Sequence, residues 1–567
     1  MRLSLGLALA LLLALASPAA AEPNIVVLMT DDQTLDSMSV MPKTRGLLGE
    51  RGTTFTRSFA SYALCCPSRA TLYTGQYAHN HGVLSNGLPM GGYTRLDKTN
   101  WLPLWLQAAG YRTMHVGKFL NGYGRVTPTE VPPGWNDWHA TVDPSTYRFY
   151  NYTVNENGTL ATYGAAGEEQ FYSTDFFARR ANELIASAAP STQPFFMSVA
   201  FLAPHSGQPR EADDPVGHAT PAVAPRHANA FSTATLPTPA SFNEADLSDK
   251  PVVIRGRPAI TPERFAAIEE GYEQRLESLL AVDDAVESIV GALATSGELD
   301  ETLILFTSDN GFFHGEHRIR AGKLYAYEPS VRLPLVMRGP GVPAGERRAQ
   351  LVTNADLSPT ILDAANARPG RAQDGRSLFD LGRDPGVQWG RELLVEGGNN
   401  QGLTFRALRN YRWKYIEHAS GEMELYDLDR DPDELNNVQG NTTLADVRSA
   451  MARRLAALRG CAGSGCRAKP ALRLYARRRS CRFAVAVRGA DAEAIDQIEF
   501  QVRRRPRPGA ETIEASFRRL TRDTRAPFRQ VVRAAGVRPG RRFLLRARVR
   551  LDDGRSVTLD TVRRACR

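Results

Sequence analysis

Beyond its first sixteen residues the chain has no stretch approaching ~18 uninterrupted apolar residues, so no later segment is expected to cross a membrane as a helix. Cysteine is scarce: six in 567 residues, too few for a disulfide-dense scaffold. There are no internal repeats and no low-complexity linker, which excludes solenoids and repetitive stalks. Hydrophobic residues make up 42% and charged residues 23%, as in an ordinary folded chain, so disorder is excluded as well. At this length one large domain plus a smaller one is expected.

The N-terminus reads as a leader. Met1-Arg2 is a positive start, Leu3 to Ala16 an apolar stretch, and Ala19-Ala20-Ala21 a small-residue cleavage site, so residues 1–21 are expected to be removed during export. The mature chain is then secreted or periplasmic, in an oxidising compartment. There Cys461 and Cys466, which flank Ala-Gly-Ser-Gly, are expected to pair, and Cys481 with Cys566. Cys65 and Cys66 stay outside that framework, since a bridge between adjacent cysteines is strained.

Charge is unevenly spread. Arg467 to Arg567 carries 28 Lys+Arg against 10 Asp+Glu, a net of +18. The whole chain is +9, so residues 1–466 must carry −9. The tail's basic residues are nearly all arginine. A basic module can hold an enzyme on anionic glycan or cell wall by long-range attraction; the other reading is arginine enrichment from a GC-rich genome, with the charges simply solvated. No nucleic-acid partner is expected.

Short apolar runs read as buried strands at Asn24–Met29, Tyr111–Val116, Phe195–Phe201 and Thr302–Thr307. They end at Thr30-Asp31-Asp32, Gly117-Lys118, Ala203-Pro204-His205 and Ser308-Asp309-Asn310-Gly311. Helices are expected over Ser68–Gln76, Trp101–Ala109 and Pro262–Ser296, with a helix-rich piece at Leu351–Asp363. Alternating helices and buried strands predict an α/β architecture, and polar residues at strand C-termini predict a ligand site there. From about Arg391 to Val438 the pattern changes to short strands. A linker near Gly460 to Pro470 leads into a tail whose runs Arg482–Val487, Phe543–Val549 and Ser556–Leu559, with a hairpin turn at Asp552–Arg555, suggest an immunoglobulin-like β-sandwich.

Asp31, Asp32, Asp309 and Asn310 offer four oxygen donors from two strand ends, a set suited to Ca²⁺, then Mg²⁺, over zinc or copper. Between them lies Cys65-Cys66-Pro67-Ser68-Arg69, followed by Leu72-Tyr73-Thr74-Gly75. Pro67 suits a first helical turn, which places Cys65 at a helix N-terminus that favours an anion.

Cys-x-Pro-Ser-Arg with Leu-x-Thr-Gly resembles the signature of the formylglycine-dependent sulfatases, and the resemblance covers about Pro23 to Val438. It implies an alkaline-phosphatase-like α/β core over 22–385 and a small antiparallel subdomain over 386–460; the separate tail over 461–567 lies outside it. It implies that a formylglycine-generating enzyme oxidises Cys65 to the aldehyde, whose hydrate is the nucleophile. Asp31, Asp32, Asp309 and Asn310 then hold calcium, with modified Cys65 and substrate sulfate completing the shell. Arg69, Lys118 (in Gly-Lys-Phe-Leu-Asn) and Lys323 (in Lys-Leu-Tyr-Ala-Tyr-Glu) match the family's cations around sulfate, and His205 the histidine near the leaving group. His205 is the expected acid for the departing alcohol.

Leu120 stands where many sulfatases have a histidine, which leaves the base for sulfate elimination unassigned, with His115 and His314 as the candidates. Gly-Lys-Phe-Leu-Asn, the Cys-Cys start, His79-Asn80-His81 and Val131-Pro132-Pro133-Gly134-Trp135 resemble the branch of N-acetylglucosamine-6-sulfatases and heparan-sulfate endosulfatases. The substrate so implied is a sulfated saccharide, of glucosamine 6-sulfate type, or an aryl sulfate. The rivals are a phosphomonoester or phosphodiester hydrolase on the same scaffold, and a glycan- or wall-binding protein with a vestigial core.

The motif makes a direct prediction. Peptide mass spectrometry of the segment containing Cys65, taken from protein made by its own host, is expected to show a loss of ~18 Da at that residue. An unmodified or disulfide-bonded Cys65 would overturn the nucleophile assignment.

Overall fold

A computed structural model describes residues 22–467, except 213, 380 and 382–390, and seven strand segments between 472 and 564. The expected leader (1–21), the Cys481–Cys566 pairing and the hairpin turn at 552–555 lie outside the described residues.

The body is built on a ten-stranded sheet. Its strands are β1 (Asn24–Thr30), β2 (Thr53–Phe55), β4 (Arg112–Gly117), β5 (Asp137–Thr141), β6 (Tyr152–Glu156), β7 (Thr159–Tyr163), β8 (Phe195–Ala200), β9 (Thr302–Ser308), β11 (Leu335–Arg338) and β12 (Glu346–Arg348), in the order β12-β2-β11-β9-β1-β8-β4-β5-β6-β7. The intervening β3 (Ser58–Phe59) and β10 (Arg332–Leu333) pair with β13 (Val352–Thr353) in a small separate sheet. The five central strands, β9-β1-β8-β4-β5, run parallel. They are apolar on both faces because both are covered: Ile25, Val27 and Met29 pack into one core and Val26 and Leu28 into the other. The first core includes Ala70 and Leu72 of the Cys65–Thr74 helix; the second includes Phe177 and Leu279 from helices Ser173–Ala188 and Pro262–Thr295.

Parallel strands send all their C-terminal ends to one edge. The four strand ends singled out in the sequence therefore converge there. The helix at Cys65 starts three residues earlier than Ser68 and ends at Thr74, because Gly75 takes the left-handed conformation (φ 67) that closes a helix. Leu351–Asp363 divides into β13, a short 3₁₀ turn and helix Leu357–Ala364.

The expected antiparallel region is a four-stranded sheet of β14 (Leu393–Asn399), β15 (Gly402–Arg409), β16 (Trp413–His418) and β17 (Met423–Asp427). Helix Ala445–Leu458, which the reading of the sequence passed over, buries Val447, Met451 and Leu455 against it. The Cys461–Cys466 disulfide forms, with Cα atoms 5.1 Å apart, and is buried in the same cluster. The Cys461 carbonyl accepts from His79 Nε2 (2.9 Å) and Asn80 Nδ2 (2.8 Å), and the Gly463 amide donates to Asp374 (2.7 Å). Packing of the body thus runs on through Cys466, past the change in composition at 460.

In the tail, β18 (Leu472–Arg479), β19 (Arg482–Gly489) and β22 (Arg529–Val532) form one sheet. The strands β20 (Ile495–Arg503), β21 (Phe517–Asp523), β23 (Arg542–Leu551) and β24 (Ser556–Arg564) form a second, ordered β21-β20-β23-β24. Phe483, Val485 and Val487 of the first share one core with Phe500, Phe543 and Leu545 of the second, as in a β-sandwich. Among the described residues no helix is long and apolar enough to cross a membrane.

One glycine fixes where the β4 end delivers its lysine. Gly117 has φ 99, and a Cβ there would lie 2.1 Å from the Ala200 carbonyl oxygen. Gly117→Ala is expected to destabilise the protein by about 2–3 kcal/mol in urea denaturation. A change within about 0.5 kcal/mol would show that β4 and β8 have room to part.

Candidate active site

β1 and β9 pair with Thr30 opposite Ser308, so Asp31-Asp32 and Asp309-Asn310 leave adjacent strand ends together. All four side chains are buried. Asp32 adopts φ 66, a conformation Asp tolerates, and its amide donates to Asp309 Oδ1 at 3.1 Å. Asn310 Nδ2 donates to Asp32 Oδ1 at 2.5 Å.

Cys65 opens its helix beside this group. Its Sγ lies 3.3 Å from Asp31 Oδ1 and 3.0 Å from Lys323 Nζ. One turn on, and so on the same helix face, Arg69 donates from Nε to Asp309 Oδ2 (2.8 Å) and from Nη1 to the Lys118 carbonyl (2.8 Å). Its Nη2 lies 3.4 Å from Asp31. Lys118 pairs with Asp31 and sits 4.5 Å from the Tyr147 ring centroid; Lys323 pairs with Asp32. His205 places Nε2 3.7 Å from Asp32 Oδ2, and its Nδ1 is 2.6 Å from the Ser206 carbonyl oxygen, which fixes Nδ1 as the protonated nitrogen. The structure therefore gathers every residue expected at the site from six separate stretches of chain.

Burial and charge compete throughout. Burial pushes the Asp31 carboxyl up, yet Lys118, His205, Arg69 and Lys323 together hold it well below the usual range. Asp32 behaves alike: burial raises it, and Lys323 and His205 bring it below its ordinary value. Asp309 goes the other way, raised by burial and by Asp31 despite Arg69. Burial acts to lower Lys118 and Lys323, but Asp31 and Asp32 respectively lead the carboxylates that hold them above the usual lysine value. Burial and the adjacent Asp31 push the Cys65 thiol far above the range in which it would ionise. His205 is driven down to about 4 by burial, against the pull of Asp31 and Asp32.

The donor set fits a divalent cation. Asn310 Oδ1 is buried without a hydrogen-bond partner, which costs about 1–3 kcal/mol unless something else satisfies it. One ligand atom each from Asp31, Asp32, Cys65 and His205 lies within 4.8 Å of the others. Hard carboxylate and amide oxygens suit calcium or magnesium. Asp31, Asp32 and Asn310 can hold such an ion directly. Asp309 is the expected ligand with the most commitments elsewhere, taking the amides of Asp32 and Asn310 as well as Arg69.

Two contributors escaped the sequence reading. Arg275, on the long helix, donates from Nη1 to the Pro204 carbonyl at 2.8 Å and from Nη2 to the Asp32 carbonyl, with its guanidinium 3.9 Å from the Phe312 ring centroid. Burial lowers it to about 10. The signal was present, since Arg275 interrupts the apolar stripe Ile268, Leu279, Val282 at helical spacing. Tyr147, beside Lys118 and His205, sits in a short 3₁₀ turn that carries no motif. Of the two histidines considered as bases, His115 is buried among Phe119, Trp135 and Trp138, and burial pushes it down to about 3. His314 is buried between Tyr272 and Phe312 and held well below its ordinary value by burial.

Comparisons with known proteins agree with this geometry. The family model described as Sulfatase matches residues 23–367, and the one described as N-sulphoglucosamine sulphohydrolase, C-terminal, matches 315–460. An arylsulfatase of Volvox carteri is 35% identical over 503 residues, covering 80% of this chain and 76% of the relative. The N-acetylglucosamine-6-sulfatase of Homo sapiens is 32% identical over 491 residues, covering 78% and 86%. A solved structure in complex with its substrate, D-glucosamine-2-N,6-O-disulfate, matches with a TM-score of 0.63 at 24% identity, over 77% of this chain and 97% of that one. That likeness is one of fold, and the alkaline-phosphatase-like α/β core is the fold expected from the sequence.

If Asn310 Oδ1 is a metal donor, calorimetric titration of chelator-treated protein should show Ca²⁺ or Mg²⁺ binding that Asn310→Ala weakens by about 10–100-fold. Saturating ion should also raise the melting temperature of the parent protein. Equal affinity in the two proteins would remove Asn310 from the ligand set.

Proposed function

Because the chain belongs to the sulfatase family, we propose that it is an exported enzyme that hydrolyses sulfate esters of sugars through an aldehyde made from Cys65. The carrying observation is the convergence of Cys65, Arg69, Lys118, Lys323 and the buried carboxylates in one cluster. A thiol kept protonated by burial and by Asp31 is a poor nucleophile in its own right. Oxidised by the formylglycine-generating enzyme and hydrated, the same position presents an oxygen nucleophile at a helix N-terminus.

That oxygen attacks sulfur in line, the sulfur–oxygen bond to the sugar breaks, and sulfate leaves as the aldehyde re-forms. Arg69, Lys118, Lys323 and Arg275 face Asp31, Asp32 and Asp309, so cations outnumber carboxylates and the site favours an anion. A bound divalent ion, Ca²⁺ before Mg²⁺, would withdraw further charge from sulfate oxygens. His205 holds its ring by Nδ1 to the Ser206 carbonyl and turns Nε2 inward. To act as the acid for the departing alcohol it must carry a second proton on Nε2, a form that burial disfavours and that Asp31 and Asp32 favour.

The sugar has a place to sit. A cavity of about 460 Å³ is lined by Tyr147, His205, Gln208, Arg210 and Thr220 among others, with His205 shared between cavity and cluster. An aromatic ring beside hydroxyl, amide and guanidinium groups suits a polar ring with several hydroxyls. The human relative's name, N-acetylglucosamine-6-sulfatase, favours a glucosamine 6-sulfate.

Two measurements test this reading. Specificity constants should favour sugar sulfates over the corresponding phosphate monoesters and diesters; the reverse order would move the chain to phosphate-ester hydrolysis, and no turnover of either would leave a binding protein. His205→Ala should lower kcat/KM on a sugar sulfate by about 10²–10⁴-fold, but far less on an aryl sulfate whose leaving group needs no proton. Equal losses on both substrates would remove His205 from the acid role.

A further inference from the structure

Part of the tail's basic excess has a definite place in the fold. In β23, Leu545, Ala547 and Val549 are fully buried in the sandwich core. Alternation then puts Arg546, Arg548 and Arg550 on the opposite, outer face, with successive arginines ~7 Å apart along the strand. Register carries the pattern sideways. Gln501, Glu499 and Gln497 of β20 lie opposite Arg546, Arg548 and Arg550, and Arg519 and Arg522 of β21 lie opposite Gln501 and Glu499. Neighbouring strands are ~4.8 Å apart, so arginines on β21 and β23 flank β20 at ~10 Å. Arg519, Arg522, Arg548 and Arg550 are exposed. Among the register partners of these five arginines, Glu499 lies 3.6 Å from Arg519 and Asp560 stands opposite Arg546.

We infer that this outer face, carried by Arg519, Arg522, Arg546, Arg548 and Arg550, docks the sulfated polysaccharide on which the enzyme acts. The inference rests on the sulfated-sugar reading of the active site. A flat row of guanidinium groups at regular strand spacing fits a ligand that repeats its negative charge along an extended chain. Guanidinium is planar, weakly hydrated and able to bind a sulfate through two N–H groups, and keeps donors to spare when one carboxylate is nearby. Gln497, half-buried, adds an amide able to hydrogen-bond a hydroxyl between the charges, while Gln501 is buried beneath them and donates to Glu499 at 2.6 Å. The outward positions of β20 and β23 bear no aromatic ring on which a nucleic-acid base would stack, and no large apolar group for insertion into a lipid surface beyond the half-buried Leu544.

The division of charge gives the face its use. Residues 1–466 carry −9, which repels a polyanion at long range, whereas the segment from Arg467 carries +18. Holding a polymer on the tail raises the local concentration of its sulfate esters around the active site without altering the chemistry. The face should therefore matter for long substrates at low concentration and not for small ones.

The test compares the full-length enzyme with the triple variant Arg546→Ser/Arg548→Ser/Arg550→Ser and its charge-keeping counterpart Arg546→Lys/Arg548→Lys/Arg550→Lys. Each is measured for retention on immobilised heparin against salt, and for kcat/KM on a sulfated polysaccharide and on 4-nitrophenyl sulfate. The serine variant is expected to elute at lower salt and to lose about tenfold on the polymer, with turnover of 4-nitrophenyl sulfate unchanged. The lysine variant should keep most of the retention. Unchanged retention and an unchanged ratio of polymer to small-substrate activity would overturn the proposal. So would a fall in small-substrate activity equal to that on the polymer, or tighter binding to duplex DNA or phosphatidylserine vesicles than to heparin. If the parent enzyme turns over neither sulfate, the active-site reading fails by itself, and retention on heparin still decides the surface.

Discussion

Three carboxylates and the cations that balance them occupy a site from which water is largely excluded. Burying one unpaired carboxylate costs several kcal/mol even after relaxation, and three side by side also repel one another. Asp31, Asp32 and Asp309 are tolerable only because Arg69, Lys118 and Lys323 reach them from different elements, with the Arg275 charge nearby on the Asp32 carbonyl. Removing Arg69 unpairs Asp309 and removing Lys323 takes the paired lysine from Asp32, so the parts of the site depend on one another. The raised Asp309 carboxyl shows that the balance is close.

Much of the architecture serves this balance. The parallel pairing of β1 with β8 and β9 brings the three strand ends into one layer. Gly117 allows β4 to approach Ala200 closely before Lys118 turns inward. The helix beginning at Cys65 aims its N-terminus at the same spot, and its far end is held from the C-terminal side of the chain. The Asp374 amide donates to the Gly75 carbonyl at 2.8 Å, while the Asp374 carboxylate takes the amides of Tyr77 and Gly463 at 2.7 Å each. The loop closed by Cys461–Cys466 thus reaches back to the element that carries the reactive residue.

The strands that carry site residues were legible because burial on both faces leaves a continuous apolar run, and their ends were marked by Asp, Lys, His or Asn where the run stopped. The motif around Cys65 was legible because Pro67, Arg69 and Gly75 each do something local: start a turn, place a charge one turn on, end a helix. Helix Ala445–Leu458 was missed because its apolar face is interrupted by alanine and arginine, so its pairing with the four-stranded sheet shows only once both are in place. Arg275 was hidden for a related reason. A charge on an apolar stripe shows that something must meet it, but not what; its partners are backbone carbonyls at Pro204 and Asp32, roughly seventy and more than two hundred residues away.

The order of residues alone determined the chemistry available: an oxidisable cysteine at a helix start, oxygen donors at two strand ends, two lysines, and a tail richer in arginine than anything else in the chain. Each follows from local rules of period, capping and charge. Tertiary structure alone decided which of these groups share a volume, which histidine faces the cluster and which are sealed among aromatic rings, and on which face of the tail the arginines gather. Those outcomes depend on strand register and on long-range pairing of buried charges, which no local pattern encodes.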